Sequence, residues 1–469
     1  MSELPEGWIE ENLGTVGNWA SGGTPSRKNR EYFGEGIPWI KSGDLPDGLI
    51  LRTEEQITAL GLKNSSAKLM PEGTISIAMY GATIGKLGVL TFPAATNQAC
   101  ANVIPDLNLV DRDYLYFYLL SERKALIDKG QGGAQPNISQ EVIKAHPILI
   151  APLAEQRRIV AKLETLLGKV EACQQRLAKI PVLLKRFRQA VLAAACSGAL
   201  TVDWRESDEI ENELPLGWSR VAIEELLPKG GIFDGPFGSN LKTSDYTNAG
   251  VRVVRLENIG HLKFFADKET YISQEKYETL TKHTVKEGDI IFSSFIAEEI
   301  RACVLPSLST TAIAKADCFC LRPIETLVDR AYLTFQLVSQ DSYDALVDSV
   351  HGATRPRINT TQLRKLKVRI CSLAEQQEIV RRVEALFQLA DQLEARYQRA
   401  QAQVDKLQQS ILAKAFRGEL VPTEAELARR EGRDYEPAAA LLERICAAQP
   451  STARKAKSDR TPAQTSFLS

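Results

Sequence analysis

The sequence predicts an α+β chain written twice: two α+β domains, each followed by a long helix, with the two helices packing as an antiparallel coiled coil in an internal pseudo-twofold repeat. Three observations lead there. Leu153-Ala154-Glu155-Gln156 recurs as Leu373-Ala374-Glu375-Gln376, at an offset of 220 (373 − 153). At that same offset Ile159-Val160 returns as Ile379-Val380, Leu192-Ala193 as Leu412-Ala413, and Gly198 with Leu200 as Gly418 with Leu420. The block from Leu153 to Leu200 therefore realigns without an insertion, as expected where length itself is constrained. Matches outside the block drift. Leu4-Pro5-Glu6-Gly7-Trp8 answers to Leu214-Pro215-Leu216-Gly217-Trp218, and Glu72-Gly73-Thr74-Ile75 to Glu287-Gly288-Asp289-Ile290. Repeats of this kind decide the fold before any local reading does.

The third observation is a period. Ile159, Leu163, Leu166, Val170, Cys173, Leu177, Ile180, Leu184, Phe187 and Val191 step by fours and threes. So do Ile379, Val383, Leu386, Ala390, Leu393, Tyr397, Ala400, Val404, Leu407 and Ile411. That is a heptad seam in each copy, and at about 1.5 Å per residue each helix spans on the order of 60–70 Å. Pro181 should interrupt the first helix, because it lacks a backbone donor and clashes with the preceding turn. Gly198 and Gly418 stand where left-handed stop signals belong.

The domains are expected at 1–150 and 211–370, with helical spacers at 151–210 and 371–425 and a polar, basic tail at 426–469, disordered from about Arg454. Short strands are predicted around Gly36–Lys41, Thr74–Met79 and Ala145–Ile150, and around Val251–Leu256 and Asp289–Ser293, where apolar runs lie between turn residues. Helices are predicted at Asp113–Leu120 and Arg330–Leu337.

Composition narrows the function. The 469 residues are 44% hydrophobic and 25% charged, which excludes a disordered or fibrous chain. No apolar run approaches the roughly 20 residues of a membrane helix, and the N-terminus lacks the basic and apolar regions of a secretory signal. The eight cysteines are scattered, as for reduced thiols in a cytoplasmic protein. Net charge is −1, which does not suggest a polyanion binder acting alone.

Catalytic patterns are missing. No Pro-Pro occurs, so the clamp of an amino-group methyltransferase is absent. Gly81-Ala82-Thr83-Ile84-Gly85-Lys86-Leu87 has Tyr80 in place of the first phosphate-loop glycine and Leu87 in place of the magnesium-binding hydroxyl. His146, His261, His283 and His351 lack metal-ligand spacing. The chain reads as non-catalytic, with no metal site and no cofactor of its own.

The doubled order of motifs resembles the specificity subunit of type I restriction-modification enzymes. The resemblance rests on Leu4–Trp8, Gln135-Pro136-Asn137-Ile138-Ser139, Leu153–Gln156 and Lys414-Ala415-Phe416-Arg417-Gly418-Glu419-Leu420. It extends to about Val421, with Arg357 standing where the first half has Asn137. It implies two target recognition domains, each reading half of a split, asymmetric double-stranded DNA site. It also implies a helical rod that sets half-site separation and docks two methylation subunits, with restriction subunits added for cleavage. S-adenosylmethionine, ATP and magnesium would serve those partners.

The candidates for reading bases are polar residues in loops beside the landmarks. In the first domain they are Lys41, Ser42, Asp44, Tyr80, Asn97 and Gln98. In the second they are Arg255, Glu257, Asn258, Ser293, Ser294, Lys315, Arg355 and Arg357. Arginine suits guanine and asparagine or glutamine suits adenine, through paired hydrogen bonds in the major groove. The alternative is a coiled-coil adaptor presenting two domains that bind ligands other than DNA, which the near-neutral charge favours.

Overall fold

A computed structural model describes residues 4–130, 137–207, 209–211, 213–296, 298–350 and 356–448. The heptad stretches fold as helices. The first runs Leu153–Leu177 and resumes as Ile180–Ser197, with Pro181 in the opening turn of the second piece, where its missing N–H costs nothing. The second is continuous over Leu373–Ala415, because nothing in it breaks the hydrogen-bond ladder. Gly198 and Gly418 adopt φ of +81° and +73° just beyond the helices.

Two units emerge, cutting across the helices: residues to Arg176 with those from Ala400 onward, and Leu177–Arg399. Each contains one α+β domain and an antiparallel helix pair. In the first unit Arg158 meets Glu424 while Gln174 meets Asp405 and Gln408, so partners fall as the chain rises. In the second, Arg188 pairs with Asp391 and Glu394, and Arg205 with Glu375.

The two domains share one topology. A short antiparallel pair, Ile9–Asn12 with Pro147–Ile150, is matched by Ser219–Ala222 with Lys367–Ile370. Strands Gly17–Ser21, Cys100–Pro105, Ile75–Ala78 and Leu87–Leu90 run side by side in one sheet. Their counterparts Ile232–Phe233, Cys318–Leu321, Ile290–Ser293 and Ala302–Val304 do the same. A second sheet in each domain contains a parallel pair, Phe33–Ile40 beside Ala94–Thr96 and Val251–Val254 beside Ala312–Ala314. The strands and helices expected from sequence all appear, the helices as Arg112–Ser121 and Arg330–Leu337. The Gly81–Thr83 turn joins two strands of one sheet, as a glycine-rich connection does.

Each core is shared between the sheet and the helix pair of its own unit. Ile75, Val103, Tyr114, Ile148, Ile159, Leu163, Ile411 and Phe416 form one cluster. Ile290, Phe292, Tyr332, Leu333, Val368, Ile379 and Val383 form the other. The twin motifs turn out to be each other's partners. Glu155 accepts from the Trp8 indole at 3.0 Å and Glu375 from the Trp218 indole at 3.0 Å. Gln156 accepts from the Asp111 N–H and donates to the Leu109 and Ala151 carbonyls. Gln376 does likewise with Asp329, Leu327 and Cys371. These buried polar residues satisfy loop groups that would otherwise be stranded in the core.

Two expectations need correction. The seam is not uniformly buried. Ile159, Leu163, Val170, Leu184, Ile379 and Val383 are buried and Leu166, Leu177, Leu386 and Val404 half-buried, but Leu393 is 42% and Leu407 51% exposed. Cys173 is exposed as well. At those levels polar contacts carry the pairing, Arg188 on Asp391 and Glu394, and Gln174 on Asp405 and Gln408, so the leucines stay partly in water. Nor is everything after 425 a tail. Helices Glu424–Glu431 and Ala438–Ala448 follow, with Ala438 and Leu441 in the first core and the Glu424 N–H on Glu155. The segment predicted as disordered from Arg454 lies outside the described residues.

Candidate nucleic-acid interface

In both domains the parallel strand pair ends side by side, and the next residues form a polar surface. In the first, the Asn97 N–H donates to the Ile40 carbonyl at 2.9 Å, which sets Asn97 beside Lys41. In the second, the Lys315 N–H donates to the Val254 carbonyl at 2.9 Å, which sets Lys315 beside Arg255. A tight turn follows each leading residue. Asp44 closes the first by accepting the Lys41 N–H, and Asn258 closes the second by accepting the Arg255 N–H, both at 2.9 Å. Close packing fixes this geometry: a Cβ on Gly22 would lie 2.0 Å from the Asn97 carbonyl oxygen, and one on Gly235 2.1 Å from the Lys315 carbonyl carbon. No side chain fits at either glycine.

A third landmark joins the surface. Tyr80 bridges Asn137 and Phe295 bridges Arg357, at equivalent points after the Ile75–Ala78 and Ile290–Ser293 strands. The structure thus pairs Lys41 with Arg255, Asn97 with Lys315, Tyr80 with Phe295, and Asn137 with Arg357. The second domain carries a cation at two positions where the first has an asparagine, and each domain carries one at the Lys41 and Arg255 position.

The candidates divide by what they already bind. Lys41 Nζ holds Glu55 at 2.7 Å, a hydrogen bond that raises the lysine pKa and lowers that of the carboxyl, which Arg27 shares at 2.9 Å. Ser42 sits half-buried in the turn, and Asn97 accepts from the Cys100 thiol. Gln98 is exposed and accepts from Thr24. Arg255 pairs with exposed Glu257 at 3.0 Å, and both Arg255 and Lys315 lie over the Tyr246 ring, at 5.8 and 5.3 Å. Arg357 pairs with Asp317.

Four candidates are spent on the fold. Asn258 is fully buried and donates to the Phe265 and Lys268 carbonyls, so its amide organises a loop. Ser293 is buried between the Phe295 carbonyl and Arg301, and Ser294 is buried on Asp317. Asp44 likewise serves its turn. Arg355 lies outside the described residues, as do Gln135 and Pro136. Sequence reading missed Phe237, Tyr246, Phe295, Asp317 and Asp234. The signal was the drifting offset, which places Gly235-Pro236-Phe237-Gly238 opposite Gly22-Gly23-Thr24-Pro25.

Asp234 gives this surface a pH signature. Burial pushes its carboxyl up to about 6, against the pull of the Gly235 and Asp317 N–H groups. The folded chain therefore binds more protons than the unfolded chain between the ordinary aspartate value of 3.8 and about 6, so this group's contribution to stability rises as pH falls through that window. Asp234→Asn, which keeps the acceptor oxygen, should flatten the melting temperature of the second unit across pH 4–6. An unchanged slope would assign it to other groups.

Among the described residues, no cluster of His, Cys, Asp and Glu could hold a metal, and no helix is long and apolar enough to cross a membrane. All eight cysteines are free, and burial pushes the thiols of Cys100, Cys196, Cys303 and Cys371 up to about 12.

The comparisons with known proteins converge. A chain from a structural study of assembly and conformational transition in the type I R-M system aligns with a TM-score of 0.69 at 20% identity, over 89% of this chain and 100% of that one. The HsdS subunit of Thermoanaerobacter tengcongensis aligns with a TM-score of 0.53 at 18% identity, over 89% and 98%. In sequence, the EcoDI specificity subunit of Escherichia coli is 30% identical over 88% of this chain and 91% of its own length. The EcoKI specificity subunit of Escherichia coli strain K12 is 28% identical over 97% and 98%. The family model described as type I restriction modification DNA specificity domain matches twice, at residues 5–182 and 217–402, each time taking in one α+β domain and the first part of the helical segment after it. The chain belongs to the type I restriction-modification specificity family.

Proposed function

We propose that this chain is the sequence-reading subunit of a type I restriction-modification complex, taking a bipartite, asymmetric DNA site with one half-site per domain. One observation carries the reading: the same polar surface is built twice, at the ends of equivalent parallel strands, with Lys41, Asn97 and Asn137 in one copy and Arg255, Lys315 and Arg357 in the other. Duplicated scaffolds with exchanged polar groups suit two different half-sites read by one chain. The adaptor alternative loses its footing, since the relatives that span both domains and both helices are specificity subunits.

Methyl transfer and cleavage then belong to partners: two methylation subunits using S-adenosylmethionine, and restriction subunits using ATP and magnesium. Residues 1–150 carry 13 Lys and Arg against 17 Asp and Glu, and residues 211–370 carry 20 against 21. Such near-neutral domains gain little from phosphate neutralisation, so the partners supply most of that affinity in the cytoplasm where the complex works.

Domain exchange is the test. Replacing residues 211–370 with the equivalent domain of a relative, and sequencing methylated genomic sites, should alter one half-site and leave the other. Changes in both halves, or in neither, would remove the assignment of one half-site to each domain.

A further inference from the structure

We infer that Arg357 is a specificity-determining residue that reads a guanine in the half-site taken by the second domain. The inference rests on the DNA-reading function proposed above and names one base and one side chain within it.

The guanidinium of Arg357 lies over two phenyl rings, 5.8 Å from the Phe237 centroid and 5.7 Å from that of Phe295. Asp317 pairs with one of its terminal nitrogens. Asp317 is itself held: its carboxylate accepts from the Ser294 hydroxyl at 2.9 Å, and its N–H donates to Asp234 Oδ1 at 2.9 Å. Its backbone sits at φ +73°, a conformation that a non-glycine residue keeps only when its surroundings impose it. The main chain closes the frame, with the Ile358 N–H on the Ser294 carbonyl and the Ser294 N–H on the Asp317 carbonyl, both at 2.9 Å. Yet the Arg357 side chain remains 45% exposed and Phe237 52% exposed.

This arrangement suits a base better than a phosphate. The ion pair with Asp317 cancels most of the charge that would attract a phosphate, but leaves guanidinium donors without a partner among the described residues. Donors fixed in one plane match the O6 and N7 acceptors on the major-groove edge of guanine. Ordering the side chain in advance removes much of the entropic cost of that contact. In the first domain the equivalent position is Asn137, whose shorter amide has neither the charge nor the reach. The exchange separates the two reading surfaces chemically at matched backbone positions.

The test uses the full chain assembled with its methylation subunits in cells, with methylated sites mapped by sequencing. Arg357→Ala should lower discrimination for guanine at one position of the second half-site by roughly ten- to a hundredfold, leaving the first half-site intact. Arg357→Lys, which keeps the charge but not the planar fork, should lose discrimination to a similar degree. Asp317→Asn, which frees the guanidinium, should lose part of it. If Arg357→Lys reads guanine as well as the native chain, or Arg357→Ala weakens all sites equally with the consensus unchanged, the guanine assignment is wrong. Should Arg357→Ala give no methylation at all, the lysine variant decides. The domain exchange separates the two levels, because it changes the second half-site whether or not Arg357 reads it.

Discussion

Inserting one heptad into each long helix, after Gln174 and after Lys406, is expected to abolish methylation of the native site. A heptad keeps the seam in phase, so the helices should still pair. It adds about 10 Å of helix, equal to about three base pairs at 3.4 Å each. Three base pairs are less than a third of the 10–10.5 in a turn, so the reading surfaces would also be out of rotational register on the duplex. Remaining activity should appear at a site with a longer spacer and unchanged half-site bases, which sequencing of methylated genomic sites reports directly. Full methylation at the native spacing would show that the helices do not set it.

The second large effect is on stability. Glu375 and Arg205 form an ion pair at 2.9 Å with side chains only 6% and 9% exposed, and the carboxylate also accepts from Thr201 and the Trp218 indole. Glu375→Ala leaves the buried guanidinium charge without a counter-ion, held only by the Gly198 carbonyl and the Thr201 hydroxyl, which should destabilise the second unit by about 3 kcal/mol. Glu155 is its repeat counterpart and differs in kind. It takes the Trp8 indole and the Glu424 N–H, burial raises its pKa, and the nearby Arg158 is engaged by Glu424. Glu155→Ala leaves neutral donors unpaired and should cost less, about 2 kcal/mol. Denaturant unfolding of the two full-length variants checks the order. Equal losses would show that the Arg205 pair adds nothing beyond the tryptophan contact.

That asymmetry illustrates how differently the features of this chain could be read. The repeat, the heptads, the break at Pro181 and the alternation of domain and helix are local patterns, so residue order carries them openly. Even the family was legible, because the order of short motifs, doubled, is far more specific than any one of them. The same periodicity misjudged Leu393 and Leu407, since a heptad position is buried only if the facing helix offers an apolar surface there, and at those levels it offers ion pairs and amides.

The reading surface was the least legible part. A polar residue in a turn looks the same in sequence whether its side chain is spent on the fold or left facing outward. Asn258 has the side chain of a base reader, yet its amide is consumed by carbonyls 7 and 10 residues away. Nothing local in the sequence marks Phe237 as the ring that lies under Arg357. The pairing of Trp218 with Glu375 spans 157 residues, and the frame around Arg357 joins Asp234, Ser294 and Asp317 from three separate strand ends. Sequence alone determined the family, the doubled architecture and the two helices, because these rest on spacing along the chain. Only the tertiary structure decided which polar groups are already satisfied and which remain to meet a ligand, because hydrogen-bond capacity is used up by neighbours in space.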